Sequence, residues 1–196
     1  EVFAMDTYGS TTPRPPAFKS GFPVDFAFWK NTSDNWQVGS RLTQGKRLFF
    51  TAAAEHTSGS EKYDYQTGYI NDTYVDSSIN GWMWKRAPSF FDVVCYKGDG
   101  TLNQTFSHGL AAKPDMVWIK SRGGTQDWWV ALDDSIVNLD GRLNNSGDFG
   151  YSVIGTFTDT TVQTLNQNQS ATNYNGEIYI AYLFATLAGV SKIGSV

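Results

Sequence analysis

Pro23-Val24-Asp25-Phe26-Ala27-Phe28-Trp29-Lys30 and, farther on, Pro114-Asp115-Met116-Val117-Trp118-Ile119-Lys120 are two versions of one sentence. Each opens on Pro-x-Asp or Pro-Asp, runs through alternating bulky residues with a central Trp, and closes on Lys. Asn35-Trp36-Gln37-Val38 returns in the same order as Asp127-Trp128-Trp129-Val130, and Trp82-Met83-Trp84 returns as Tyr182-Leu183-Phe184. Ala17-Phe18-Lys19-Ser20-Gly21 precedes the first copy as Thr105-Phe106-Ser107-His108-Gly109 precedes the second. A repeat of roughly 90–100 residues is a small domain, because solenoid units run about 20–50. The chain therefore reads as two modules, residues 1–90 and 91–196.

Short apolar runs bounded by Gly, Pro, Asn and Asp, with no sustained helical period, predict an all-β fold of two tandem small β-sandwich modules. The expected strands are 24–29, 36–39, 47–51, 81–86, 91–96, 115–120, 128–132, 152–157 and 177–184. Gly98-Asp99-Gly100 and Gly123-Gly124 supply turn chemistry. Pro13-Arg14-Pro15-Pro16 cannot sit in a central strand and is expected at an edge or in an extended loop. Thr51-Ala52-Ala53-Ala54-Glu55 is compatible with a helical turn, whereas Val137-Asn138-Leu139-Asp140-Gly141, near the same place in the second copy, favours a strand followed by a turn. Glu1-Val2-Phe3 begins inside a repeat strand and Ile193-Gly194-Ser195-Val196 ends where another would start, so an excerpt from a longer array is expected.

Composition narrows the partners. Aromatics make up 15% of the chain, enough for two cores of flat side chains, while charged residues are only 17%, below the usual quarter. A net charge of −4 without any Lys/Arg cluster excludes a nucleic-acid partner as the expectation. The longest apolar stretch, 178–190, is too short to span a bilayer as a helix, so no membrane anchor is expected. The single cysteine, Cys95, rules out an intrachain disulfide and is expected to be buried and inert in an apolar strand.

Catalytic arrangements are hard to find. The two histidines, His56 and His108, lie in no nucleophile motif, and His108 reads as a turn residue. Asp133 and Asp134 are adjacent on a strand continuation and point to opposite faces, so they cannot converge on a glycosidic bond. No catalytic residue, metal site or cofactor is expected. Aromatics remain. Trp128-Trp129 must place one indole on each face of its sheet, and the outer one is a candidate platform for a sugar ring or an interface. Tyr63, Tyr65 and Tyr69, with Tyr74, make Glu61–Asp76 a candidate recognition loop.

Gly81–Gly100, with its Gly-Trp-Met-Trp-Lys-Arg-Ala-Pro-Ser-Phe-Phe-Asp-Val-Val-Cys-Tyr-Lys-Gly-Asp-Gly run, then Ser107-His108-Gly109-Leu110 and Pro114-Asp115-Met116, resembles a repeat domain of unknown function in marine bacteriophage and cyanophage virion proteins. Ile180 to Lys192 is similar to that repeat's end. Where the family carries Asn-Leu-Gly after the His, this chain has Gly109-Leu110-Ala111, and the first copy has Ser20 in place of the His. The resemblance implies a non-enzymatic virion surface protein, a tail fibre, adhesin or capsid-attached fibre. Its modules would act as spacer and as host-receptor or glycan binder, assembled with other virion proteins and as a homo-oligomer. A structural decoration or joint, and a polysaccharide-degrading tail enzyme, are the competing expectations.

Overall fold

The computed structural model describes residues 1–8, 15–30, 35–43, 45–51, 59–71, 78–133, 140–145, 150, 153–165 and 171–194. The fold is all-β and divides into two compact units, Glu1–Thr51 with Glu55–Lys85 and Arg86–Val196 with Ala52–Ala54. No helix among the described residues is long and apolar enough to cross a membrane.

Unit 1 contains β1 (Phe3–Thr7), β2 (Phe18–Lys19), β3 (Phe26–Lys30), β4 (Gln37–Ser40), β5 (Arg47–Phe49), β6 (Glu61–Lys62), β7 (Gly68–Asn71) and β8 (Asn80–Trp84). They form a five-stranded antiparallel sheet, β1-β8-β3-β4-β5, facing a three-stranded one, β2-β7-β6. Unit 2 contains β9 (Phe91–Lys97), β10 (Thr105–Ser107), β11 (Met116–Ser121), β12 (Trp129–Leu132), β13 (Asp140–Arg142), β14 (Ile154–Phe157), β15 (Thr161–Thr164) and β16 (Ile178–Phe184). Its sheets run β9-β16-β11-β12-β13 and β10-β15-β14.

The two plans agree in register as well as in order. Phe3 opposes Trp84 as Phe91 opposes Phe184, Phe26 opposes Ser40 as Met116 opposes Leu132, and Gln37 opposes Phe49 as Trp129 opposes Arg142. Because strand side chains alternate, a shared register puts corresponding residues on the same face.

Each core lies between a unit's two sheets. In unit 1, Tyr63, Tyr69 and Phe18 stack nearly parallel, with centroids 5.4 and 4.9 Å apart, and Tyr8 meets Phe18 edge-on. Glycines make room for this stack. A Cβ at Gly81 would sit 2.8 Å from the Phe18 ring and 3.1 Å from the Tyr69 hydroxyl, and one at Gly39 would run into the Tyr63 hydroxyl. Unit 2 has alanines at those places, Ala131 and Ala181, and its stack is shifted to Tyr179, Tyr96 and Phe106, spaced 5.1 and 4.2 Å.

In each unit a buried charged group ties the edge strand of the large sheet to the small-sheet side of the core. Arg47 at the start of β5 pairs with Glu61 of β6 at 2.6 Å and donates to Gln37 Oε1, all nearly solvent-free. Asp140, at the corresponding start of β13, instead accepts the backbone amides of Val153 and Ile154 through one oxygen. Desolvation raises its carboxyl to about 6 against the pull of those two amides.

Every strand expected from the sequence overlaps an observed one. The residues 52–58 and 134–139 lie outside the described set, so neither the helical turn nor its strand-like counterpart is placed, although Asp140 and Gly141 do open a strand. Among the described residues one 3-10 turn occurs, at Arg41–Thr43. Pro15 and Pro16 lie in no strand, and Pro13 and Arg14 are outside the described residues.

Candidate functional site

The tyrosine stretch is not a solvated recognition loop. Glu61–Asn71 folds as the β6/β7 pair, Tyr63 and Tyr69 are 4% and 0% exposed in the core stack, and Tyr65 packs half-buried beside them. Desolvation pushes the Tyr69 phenol well above its usual range. The reading failed because β6 and β7 are two- and four-residue strands, too short for alternation to register against a polar background. Tyr74 is outside the described residues.

Trp128 and Trp129 do fall on opposite faces, but both are closed. Trp129 lies inside the core at 7% exposure with the Arg142 guanidinium 5.1 Å over its ring. Trp128, fully buried, stacks on Tyr182 across the outer face. Neither presents a free ring to a ligand.

The remaining reactive types are engaged or isolated. His108 accepts from Leu110 N–H through Nδ1 at 3.3 Å and approaches the Thr158 carbonyl with Nε2 at 3.2 Å, holding its own turn. Ser20, at the same place in unit 1, accepts from Phe22 N–H with the same spacing. Asp133 pairs with Lys113 at 2.6 Å, while Asp134 and His56 are outside the described residues. Cys95 corrects the sequence reading: it is exposed, because its position on edge strand β9 faces away from the core, with Arg122 Nη1 3.8 Å from its sulfur. Among the described residues no three His, Cys, Asp or Glu side chains are grouped to hold a metal.

What the sequence reading missed is the outer face of unit 1's large sheet. Odd residues of β1 and even residues of β8 and β3 share it by register. One row across the strands carries Thr7, Asn80, Lys30 and then Trp36. The next carries Met5, Trp82, Phe28 and Val38, and the last Phe3, Trp84 and Phe26. The rings touch in sequence: Phe3–Trp84 at 4.9 Å, Trp84–Phe28 at 5.0 Å, Phe28–Trp82 at 5.2 Å and Trp82–Trp36 at 5.2 Å. Lys30 Nζ stands 5.4 Å over Trp36, and the Thr7 hydroxyl donates to Asn80 Oδ1 at 3.0 Å.

The same positions in unit 2 are closed. Phe3 and Met5 are 41% and 60% exposed where Phe91 and Val93 are 0% and 1%. Trp36, Trp82 and Lys30 are half-buried and Asn80 exposed, whereas Trp128, Tyr182, Lys120 and Ile180 are all fully buried. The signal was present in the aligned copies: Asn80 against Ile180 and Met5 against Val93 mark where the first module keeps an amphipathic face and the second does not.

No curated protein and no solved structure matches the chain. A family model described as Domain of unknown function (DUF7483) matches residues 68–196, from the start of β7 through all of unit 2's strands. That match takes in more than half of the sequence, and the chain belongs to the DUF7483 family.

Proposed function

We propose that this chain is a non-enzymatic surface module of a phage virion, part of a tail fibre, adhesin or capsid-attached fibre, that serves as spacer and host-binding element. The observation that carries this reading is the use made of its polar side chains. Arg47, Glu61, Asp140 and His108 hold strands and turns in place, and one five-plus-three plan is used twice, the economy of a scaffold. The resemblance to phage repeat domains supports the location, and the half-open aromatic face of unit 1 supports the binding role. In this reading the chain assembles with other virion proteins and with copies of itself.

The test is made on intact particles. Labelled antibody against the purified chain should decorate the particle surface, and the purified chain should compete with particles for host adsorption without releasing reducing ends from host envelope polysaccharide. New reducing ends would establish the degrading enzyme instead. Unlabelled particles would remove the virion reading, and labelling with unimpaired adsorption would leave a decoration or joint.

A further inference from the structure

We propose that the outer face of unit 1's five-stranded sheet binds a short acidic saccharide, its ring faces laid on the indoles and its anionic group on Lys30. This rests on the adhesin side of the proposed function and names the ligand class. Size is the first argument. A wholly exposed aromatic side chain offers about 150–250 Å². With Phe3 at 41%, Met5 at 60% and the intervening rings half-buried, the open apolar area comes to roughly 400 Å². That is the size of the largest apolar patch on a typical monomer, about 300–600 Å² and often functional, and half of the ~800 Å² each partner contributes to a standard protein interface. The area suits two or three sugar rings better than a second copy of this chain.

Chemistry is the second argument. A sugar ring has an apolar C–H face bordered by hydroxyls, so its binder needs flat rings flanked by mixed donors and acceptors. The row Thr7, Asn80, Lys30 lies two residues along the strands from Trp82 and Phe28, on the same face, and presents a hydroxyl, an amide and an ammonium. Lys30 is the one charge in the three rows, and its ammonium stands over Trp36, so an anionic substituent is the complement. Unit 2 forgoes this site: Ile180 replaces Asn80, and Lys120 turns its amine onto the carbonyl of Ser121.

Trigalacturonate and a neutral trisaccharide, maltotriose, are titrated into the whole chain, read by tryptophan fluorescence and amide chemical shifts. Saturable binding of both is expected, with the acidic sugar tighter by about fivefold, the range of one partly screened charge pair. Lys30→Glu should reverse that preference, and Trp82→Ala should weaken both by about tenfold or more. Should Trp82→Ala fail to fold, as circular dichroism and melting would reveal, Lys30→Glu and Met5→Lys carry the test. No binding by folded wild type, or binding that these variants leave unchanged, overturns the proposal. A dimer that Met5→Lys disperses, without sugar binding, would instead make the face a homotypic interface. A flat titration leaves particle labelling untouched, and unlabelled particles leave the titration untouched, so the two readings fail separately.

Discussion

At the scale of single residues, Asp140 is the group whose ionisation state the fold strains. Its carboxyl is almost wholly buried, and its elevation to about 6 means the folded state holds a proton more tightly than the unfolded chain does. Folding is then favoured by protonation. The contribution is fully present below about pH 4, and about 2–3 kcal/mol of it is lost as pH rises through about 6. Urea midpoints compared between pH 4.5 and 7.5 should show this fall in wild type and lack it in Asp140→Asn, whose amide oxygen still accepts the Val153 and Ile154 amides. Equal pH slopes for the two proteins would mean that Asp140 does not titrate in this range. The sequence placed Asp140 in a strand followed by a turn, with no sign of burial. Its burial depends on β14 arriving over it, a contact between strands that no local pattern encodes.

Elements divide sharply into those legible in the sequence and those that were not. Most strands of the two large sheets carry bulky apolar residues, several of them in paired copies along the chain, and were readable; β1 and the Asp-Gly-Arg strand β13 were given no bounds. The small sheets did not read, apart from β14, because β2, β6, β7, β10 and β15 are two to four residues long and rich in Gly, Thr, Lys and Glu. Their apolar content is at most two residues each, Phe18 in β2, Tyr69 and Ile70 in β7, Phe106 in β10 and Val162 in β15, with none in β6, too few to mark a strand. Turns between elements carry their own strain. Ala111 has a φ of +58°, a conformation costing a side-chain-bearing residue about 1 kcal/mol. It is exposed in the loop entering β11. Ala111→Gly should therefore stabilise the chain by up to about 1 kcal/mol, raising the melting temperature by a few degrees. A lower melting temperature would count against that backbone conformation.

For the whole molecule, the informative comparison is between the two solutions to one plan. The repeated sentence in the sequence carries the all-β reading and the opposite faces of Trp128 and Trp129; the order of strands in the sheets could not be read from it. The open amphipathic face follows only from register, since Met5, Asn80 and Lys30 are far apart along the chain and become neighbours through antiparallel pairing. The inter-sheet ties differ just as much: a salt bridge in one unit, a carboxylate on backbone amides in the other. Arg47→Asp, which gives unit 1 the residue type of unit 2 at the corresponding position, should cost about 3–5 kcal/mol by setting two carboxylates together without a cation. Denaturant unfolding would measure it, and a cost under 1 kcal/mol would show that the tie is dispensable.

Two like modules on one polypeptide face a hazard during folding, because β5 and β13 fill the same edge slot and either could dock onto the wrong sheet. The mismatched ties work as keys against that exchange. A β5 strand lodged in unit 2 would aim Arg47 at the amides of Val153 and Ile154, and a β13 strand lodged in unit 1 would press Asp140 on Glu61. Each error would set a charge against the wrong partner at a dry site, where an unmatched charge is strongly destabilising.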